Sequence, residues 1–334
     1  MRRCSVRRLP ALLLRALMGL SVGLWAAGAA EAASRTIAVS RTPMSLPFYV
    51  ALQQGFFRDE GLDLIIADCL GGQRCLRRVQ EGRADFATTS EVVMAMAAFR
   101  DRNWRVLAAF ASSEDDIRLV VRNREAVRST RQLAGLRVGV VPASSSQYFF
   151  DALLLTQDVD PHLARQVPLQ PEEAARMLAA GQLDAVAIWE PFASHAAAAV
   201  GPAAGILPNQ SGYRPVFAVV SARALDTSAA RDEVALLKGL SRAIEFIQRE
   251  PAKAREVLRQ RLLMDAAVSD RVFEGLQFRL SLDAHLVKAM ESVGRWAVRE
   301  QHVVAAQQPD FHALIDPEPL RQARPQAAAS GLQP

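Results

Sequence analysis

The sequence predicts an α/β fold made of two similar lobes. Three observations carry this. Short β-type runs alternate with helical patterns, one pattern recurs about 100 residues downstream, and the alternation gives way to a largely helical stretch after residue 229. Half of the 334 residues are hydrophobic and 22% are charged, which excludes a disordered chain and a polytopic membrane protein.

The elements follow in order. Residues 1–33 place Arg2, Arg3, Arg7 and Arg8 before an apolar run from Leu9 to Ala30, then small residues with Ala-x-Ala spacing. This is the layout of a cleavable secretory signal. Its removal takes five arginines and Glu31, leaving 35 basic and 34 acidic residues. The formal charge then falls from +5 to +1, and the basic character that hints at nucleic acid leaves with the signal. Export to the periplasm is the expectation.

RTIAVS (Arg35–Ser40) reads as a strand, and Pro47 opens a helix through Gln54. After turns at Gly55 and Gly61, LDLIIAD (Leu62–Asp68) is a second strand. Gly71-Gly72 opens a helix ending near Gly82; DFAT (Asp85–Thr88) is a strand, Val92–Phe99 a buried helix, and Trp104–Phe110 a strand. A second unit starts near Ile117. It has a strand at Leu136–Val141, a helix at Ser144–Leu155, a helical segment at Glu172–Gly181 and a strand at Asp184–Ile188. Val216–Ser221 is the last clear strand; residues 229–304 read as largely helical and 321–334 as a flexible tail.

EGRADFATTSE (Glu81–Glu91) lies over AGQLDAVAIWE (Ala180–Glu190), matching Gly82 to Gly181, Asp85 to Asp184 and Glu91 to Glu190. A second match, in the same order, pairs Val39 with Val140 and Phe48 with Phe149. Two such lobes form a cleft at the carboxyl ends of their strands, where helix N-termini also point.

Several catalytic classes lack a signature. There is no P-loop, no Gly-x-Gly-x-x-Gly after the first strand and no Gly-x-Ser-x-Gly elbow. His162, His195, His285, His302 and His312 are scattered without metal-ligand spacing, and no metal or cofactor is expected.

The polar loops offer a binding site instead. Gly71, Gly72 and Gln73 open a helix whose free N–H groups favour an anion. Ser144, Ser145 and Ser146 open another, one serving as the cap. Thr88, Thr89, Ser90 and Glu91 follow the third strand, and Trp189-Glu190 follows the strand at Asp184. Each also has a plain reading, as turn, cap or core. Ser112–Asp116, between the units, either lines the cleft or is a solvated acidic crossover, the second being preferred. Cys69 and Cys75, six residues apart, form a disulfide in an oxidising compartment or remain two buried thiols. Cys4 leaves with the signal.

PFYVALQQGFFRDEGLDL (Pro47–Leu64), Gly82–Asp85, LRVGV (Leu136–Val140) and AAGQLDAVAIWEPF (Ala179–Phe192) resemble the periplasmic solute-binding proteins of ABC importers, in the nitrate/sulfonate/taurine and thiamine-precursor class. The resemblance runs from about Arg35 to Arg249. It implies a type II periplasmic-binding fold, with one lobe at 34–113 plus 217–320, the other at 114–216, and two crossovers. It adds Met44 and Ser45 to the ligand loops and implies hinge closure on a small organic solute. The partners implied are a permease and an ATPase on separate chains, with the protein itself a monomer and no nucleic acid involved. Glu91 near an anion site puts pure sulfonate or nitrate specificity in question, and favours a taurine-like zwitterion or a nitrogen heterocycle stacked on Trp189. Rival readings are an enzyme related to pyrimidine-precursor synthases, which needs His and Cys at the cleft, and a ligand-sensing protein.

Overall fold

The computed structural model describes residues 34–223, 229–304 and 307–325. The secretory-signal reading of residues 1–33 lies outside them. Two sheets organise the chain. The first has six strands in the order β11-β4-β10-β3-β1-β2, and the second has five in the order β7-β6-β8-β5-β9. The strands are β1 (Arg35–Ser40), β2 (Leu64–Cys69), β3 (Phe86–Ser90), β4 (Trp104–Ser113), β5 (Ile117–Val121), β6 (Arg137–Val140), β7 (Arg165–Pro168), β8 (Ala185–Trp189), β9 (Gly205–Leu207), β10 (Val216–Ala222) and β11 (Leu276–Ser281).

Both sheets contain the same parallel trio with one antiparallel neighbour. β1 pairs in parallel with β2 and β3, and β10 lies antiparallel to β3. Correspondingly, β6 pairs in parallel with β7 and β8, and β5 lies antiparallel to β8. The chain passes from the first sheet to the second between β4 and β5 and returns between β9 and β10. Each sheet has its own apolar core, rich in Ala, Val and Leu with few aromatics.

The sequence repeat has a physical basis here. Gly82 and Gly181 both adopt left-handed backbone, with φ of 67° and 68°. Three residues later, Asp85 accepts a hydrogen bond from the Thr36 N–H at 2.7 Å. Asp184 accepts one from the Arg137 N–H at 2.9 Å. Each aspartate therefore ties the start of its strand to the start of the neighbouring parallel strand.

Helices cover the sheets. They are α1 (Leu46–Gln54), α2 (Phe56–Asp59), α3 (Gly72–Gln80), α4 (Glu91–Ala98), α5 (Ser145–Leu155), α6 (Ala174–Ala179) and α7 (Phe192–Val200). The C-terminal part adds α8 (Ala229–Arg249), α9 (Pro251–Leu262), α10 (Ala266–Glu274), α11 (Ala284–Arg299) and α12 (Glu318–Ala323). Buried Leu236, Leu240, Ile244, Leu258 and Met290 attach this part to the first core. None of the described helices is long and apolar enough to cross a membrane.

Two differences from the sequence reading stand out. The stretch after residue 229 is not wholly helical, because LQFRLS alternates with period two and adds β11 as an edge strand on β4. Residues 321–323 of the expected tail belong to α12, anchored by fully buried Leu320, and residues 326–334 lie outside the described part.

Candidate functional site

The parallel strands of both sheets point their carboxyl ends at one small cavity. From the first sheet come Ser40 at the end of β1, the loop Leu70–Arg74 after β2, and Ser90 at the end of β3. From the second come Val141, Ser144 and Ser145 after β6, Gln170 and Pro171 after β7, and Trp189 at the end of β8. Asp116, Ile117 and Phe217, where the two crossovers meet strands, complete the wall.

Two helices aim their N-termini into this space. α3 begins at Gly72, after Gly71 has turned the chain with φ of 89°. Gly72 is required for the close approach, because a Cβ there would sit 2.6 Å from Thr89 Oγ1 and 3.0 Å from the Thr89 Cα. The disulfide between Cys69 and Cys75 brackets the turn, holding their Cα atoms 5.7 Å apart. α5 begins at Ser145, with Ser144 Oγ accepting from the Ser146 N–H at 3.1 Å. First-turn N–H groups at both ends suit an anionic group.

The lobes meet around the cavity in a closed arrangement. Ser145 Oγ donates to Ser90 Oγ at 2.9 Å, and Gln73 Nε2 donates to the Pro142 and Ala143 carbonyls at 2.7 and 2.6 Å. Arg74 binds Gln170 Oε1 at 3.0 Å and Glu172 Oε1 at 2.7 Å. Away from the cavity, Trp296 Nε1 donates to Asp151 Oδ2 at 2.9 Å.

Of the residues expected at the ligand, Gly71, Gly72, Gln73, Ser90, Ser144, Ser145 and Trp189 line the cavity. The others lie behind it. Met44 is fully buried; Ser45 Oγ sits 3.5 Å from Thr88 Oγ1, which accepts from the Ser40 N–H at 2.9 Å. Thr89 packs beneath Gly72. Ser146 Oγ donates to the Ala187 carbonyl at 2.6 Å and accepts from the Val141 N–H at 3.0 Å, joining α5 to β8 and β6.

The two repeat-related carboxylates also turn away from the cavity. Glu91 accepts from Tyr213 Oη at 2.5 Å and from the Val216 N–H at 2.9 Å, both beside the second crossover. Burial raises its pKa to about 7, with these hydrogen bonds opposing. Glu190 is fully buried; it accepts from the Ser194 N–H and hydroxyl at 3.0 and 2.9 Å. It also pairs with Arg118 at 3.4 Å and with Arg271 of α10 at 3.0 Å.

Asp116 corrects the preferred reading of the acidic crossover. Glu114 and Asp115 are exposed, but Asp116 is 2% exposed and lines the cavity. Burial, and then the charge of Glu190, push its pKa up to about 8, with Arg118 opposing. Its Oδ1 has no hydrogen-bond partner among the described residues. The same holds for Ser40 Oγ, Thr42 Oγ1 and Trp189 Nε1, which also line the cavity. Four unsatisfied polar groups around one cavity are groups positioned for a ligand. Ser40 and Thr42 gave no sequence signal, since a serine ending a buried strand looks like any strand end.

A family model described as NMT1/THI5 like matches residues 42–254. The chain belongs to the NMT1/THI5-like family. This member is also similar in fold to the alkanesulfonate-binding protein SsuA of Xanthomonas axonopodis pv. citri bound to MOPS. That likeness has a TM-score of 0.73 and 20% identity over 86% of this chain and 100% of that one. The periplasmic aliphatic sulphonate binding protein SsuA of Escherichia coli gives a TM-score of 0.70 and 16% identity over 84% and 97%. The desulfurization enzyme DszB gives 0.61 and 14% over 87% and 99%. No curated protein sequence gives a significant match. These likenesses establish the periplasmic-binding-protein fold for this NMT1/THI5-like chain.

Proposed function

We propose that the protein is the substrate-binding component of an ABC import system, acting as a monomer in the periplasm. It captures a small organic solute and delivers it to a membrane permease. The observation that carries this reading is a cavity between two lobes, into which two helix N-termini and four unpartnered polar atoms converge. Residues 34–113 plus 217–320 act as one lobe and 114–216 as the other. The solute selects the closed state because it bonds to both lobes at once. The helix ends favour an anionic group, and Trp189 gives a flat wall for a ring or chain. Likeness to sulfonate-binding proteins supports a taurine-like sulfonate, and family membership supports a nitrogen heterocycle equally. The likeness to DszB concerns the fold, and no histidine or free thiol lines this cavity among the described residues.

A thermal-shift screen with taurine, alkanesulfonates, nitrate, pyrimidines and aromatic acids tests the reading. A true ligand at 100 times its Kd adds about 2.7 kcal/mol of stability. Turnover of a bound compound, or no stabilisation by any of them, would count against a transport role.

A further inference from the structure

We propose that Asp116 is the ligand-recognition acid of this cavity, and that the solute carries an N–H donor, an ammonium or a ring amino group, directed at its carboxyl group. The assignment rests on the binding-protein reading above and narrows it to one class of ligand.

The geometry points this way because Asp116 Oδ1 has no hydrogen-bond partner among the described residues. The backbone carbonyl of Asp116 accepts from the Glu190 N–H at 2.9 Å, but its side-chain Oδ1 is sealed and unpartnered. The neighbouring cations are engaged elsewhere. Arg118 faces Glu190 at 3.4 Å and Asp115 at 3.5 Å, and Arg271 faces Glu190 at 3.0 Å. Arg74, across the cavity, is held by Gln170 and Glu172. A carboxyl group buried without a partner is destabilising in a structural position and is explained where a ligand completes it. The helix ends at Gly72 and Ser145 meanwhile favour negative charge in the same cavity. Opposite preferences within one cavity select a molecule bearing both an anionic or acceptor group and a donor nitrogen.

The sign of the pH dependence separates this from the alternative, in which a protonated Asp116 donates to a plain anion. With burial and Glu190 raising it to about 8 and Arg118 opposing, the Asp116 carboxyl group holds its proton at pH 7 before a ligand binds. A cationic nitrogen pairs with the ionised carboxylate, so binding expels a proton and tightens from pH 6 to above pH 8. A plain anion needs the acid form and weakens over that range.

Calorimetry on the purified protein with two matched pairs tests the assignment: taurine against ethanesulfonate, and 4-amino-2-methylpyrimidine against 2-methylpyrimidine. In at least one pair the amino compound should bind about tenfold tighter or more, as expected for a charge-assisted hydrogen bond. Asp116→Asn should shrink that preference to about twofold, a range expected of a neutral acceptor. Heats at pH 7 should differ between buffers by an amount that reports proton release. Equal binding of both members, or a preference surviving in Asp116→Asn, overturns the role of Asp116 and leaves the binding-protein reading standing. Failure of all four compounds to bind overturns the role of Asp116, and failure of every compound in the thermal-shift screen overturns both. If Asp116→Asn does not fold, the wild-type pH series decides: affinity for the amino compound that falls with rising pH refutes the proposal.

Discussion

Tyr213, on the second crossover between the lobes, donates its hydroxyl proton to Glu91 Oε1 at 2.5 Å. The bond joins the hinge to the start of α4, and both groups are buried enough to hold their protons more tightly than usual. Glu91 rises from 4.5 to about 7 in the folded protein. A carboxyl group raised on folding contributes stability that is complete below pH 4.5 and is lost as pH rises through about 7. Thermal unfolding of Glu91→Gln should show a shallower loss of stability across that window than wild type. An identical slope would mean that Glu91 does not titrate there. Tyr213→Phe, which leaves the carboxyl group with one bond fewer, should destabilise by about 1–3 kcal/mol at neutral pH.

Gly71 faces Trp189 across the closed cleft with no room for a side chain. A Cβ at Gly71 would lie 3.2 Å from Trp189 Cζ2, on a backbone with φ of 89°. Gly71→Ala should therefore strain the loop and hold the lobes apart, reducing ligand affinity by about tenfold for a loss of roughly 1–2 kcal/mol. Small-angle scattering with and without ligand checks this: wild type should contract on binding more than the variant.

Removing the disulfide should loosen the mouth of α3. A loop closed by Cys69 and Cys75, with six residues of separation, constrains the unfolded chain modestly. The chain-entropy model gives roughly 2 kcal/mol for so short a loop. Cys69→Ser with Cys75→Ser should lower the denaturant midpoint accordingly, and addition of reductant should move wild type toward the variant. Curves that coincide with and without reductant would sink this expectation.

Arg271 reaches from α10 to Glu190 and to Ser194 Oγ at 3.1 Å, a link between the two lobes away from the ligand. Arg271→Ala leaves Glu190 with Arg118 and Ser194 only. Global stability should change by about 1 kcal/mol or less, since the arginine is partly exposed. Affinity should fall several-fold through destabilisation of the closed state, with the dissociation rate rising. Unchanged dissociation by stopped-flow would assign the pair a purely structural role.

The repeat was legible because both copies solve the same local problem. Gly82 and Gly181 need left-handed backbone, and Asp85 and Asp184 must each cap a neighbouring strand, so spacing and residue type were both constrained. The strands β7 and β9 carried no comparable signal: they are edge strands of four and three residues, partly exposed. Loop positions around the cavity were also legible, since they follow from strand ends and helix starts. Which side chain of a loop faces the ligand was not. Thr88 and Thr89 go to packing while Ser90 faces inward, and Glu91 one residue later turns to the hinge. Asp116 was hidden for a related reason, because burial separates it from the exposed Asp115 beside it and sequence does not encode burial residue by residue.

The placement of β10 between β3 and β4 has a consequence for how the molecule is made. As the chain leaves the ribosome, β1 to β4 emerge first, yet the strand that joins β3 to β4 arrives only with residues 216–222. Until then β3 and β4 each present an unpaired edge, while the whole second sheet is being synthesised in between. The second sheet draws all its strands from one continuous stretch and can close on its own. The inserted lobe should thus gain protection from proteolysis before the lobe that begins the described chain, and nascent chains stopped near residue 210 should be the aggregation-prone ones.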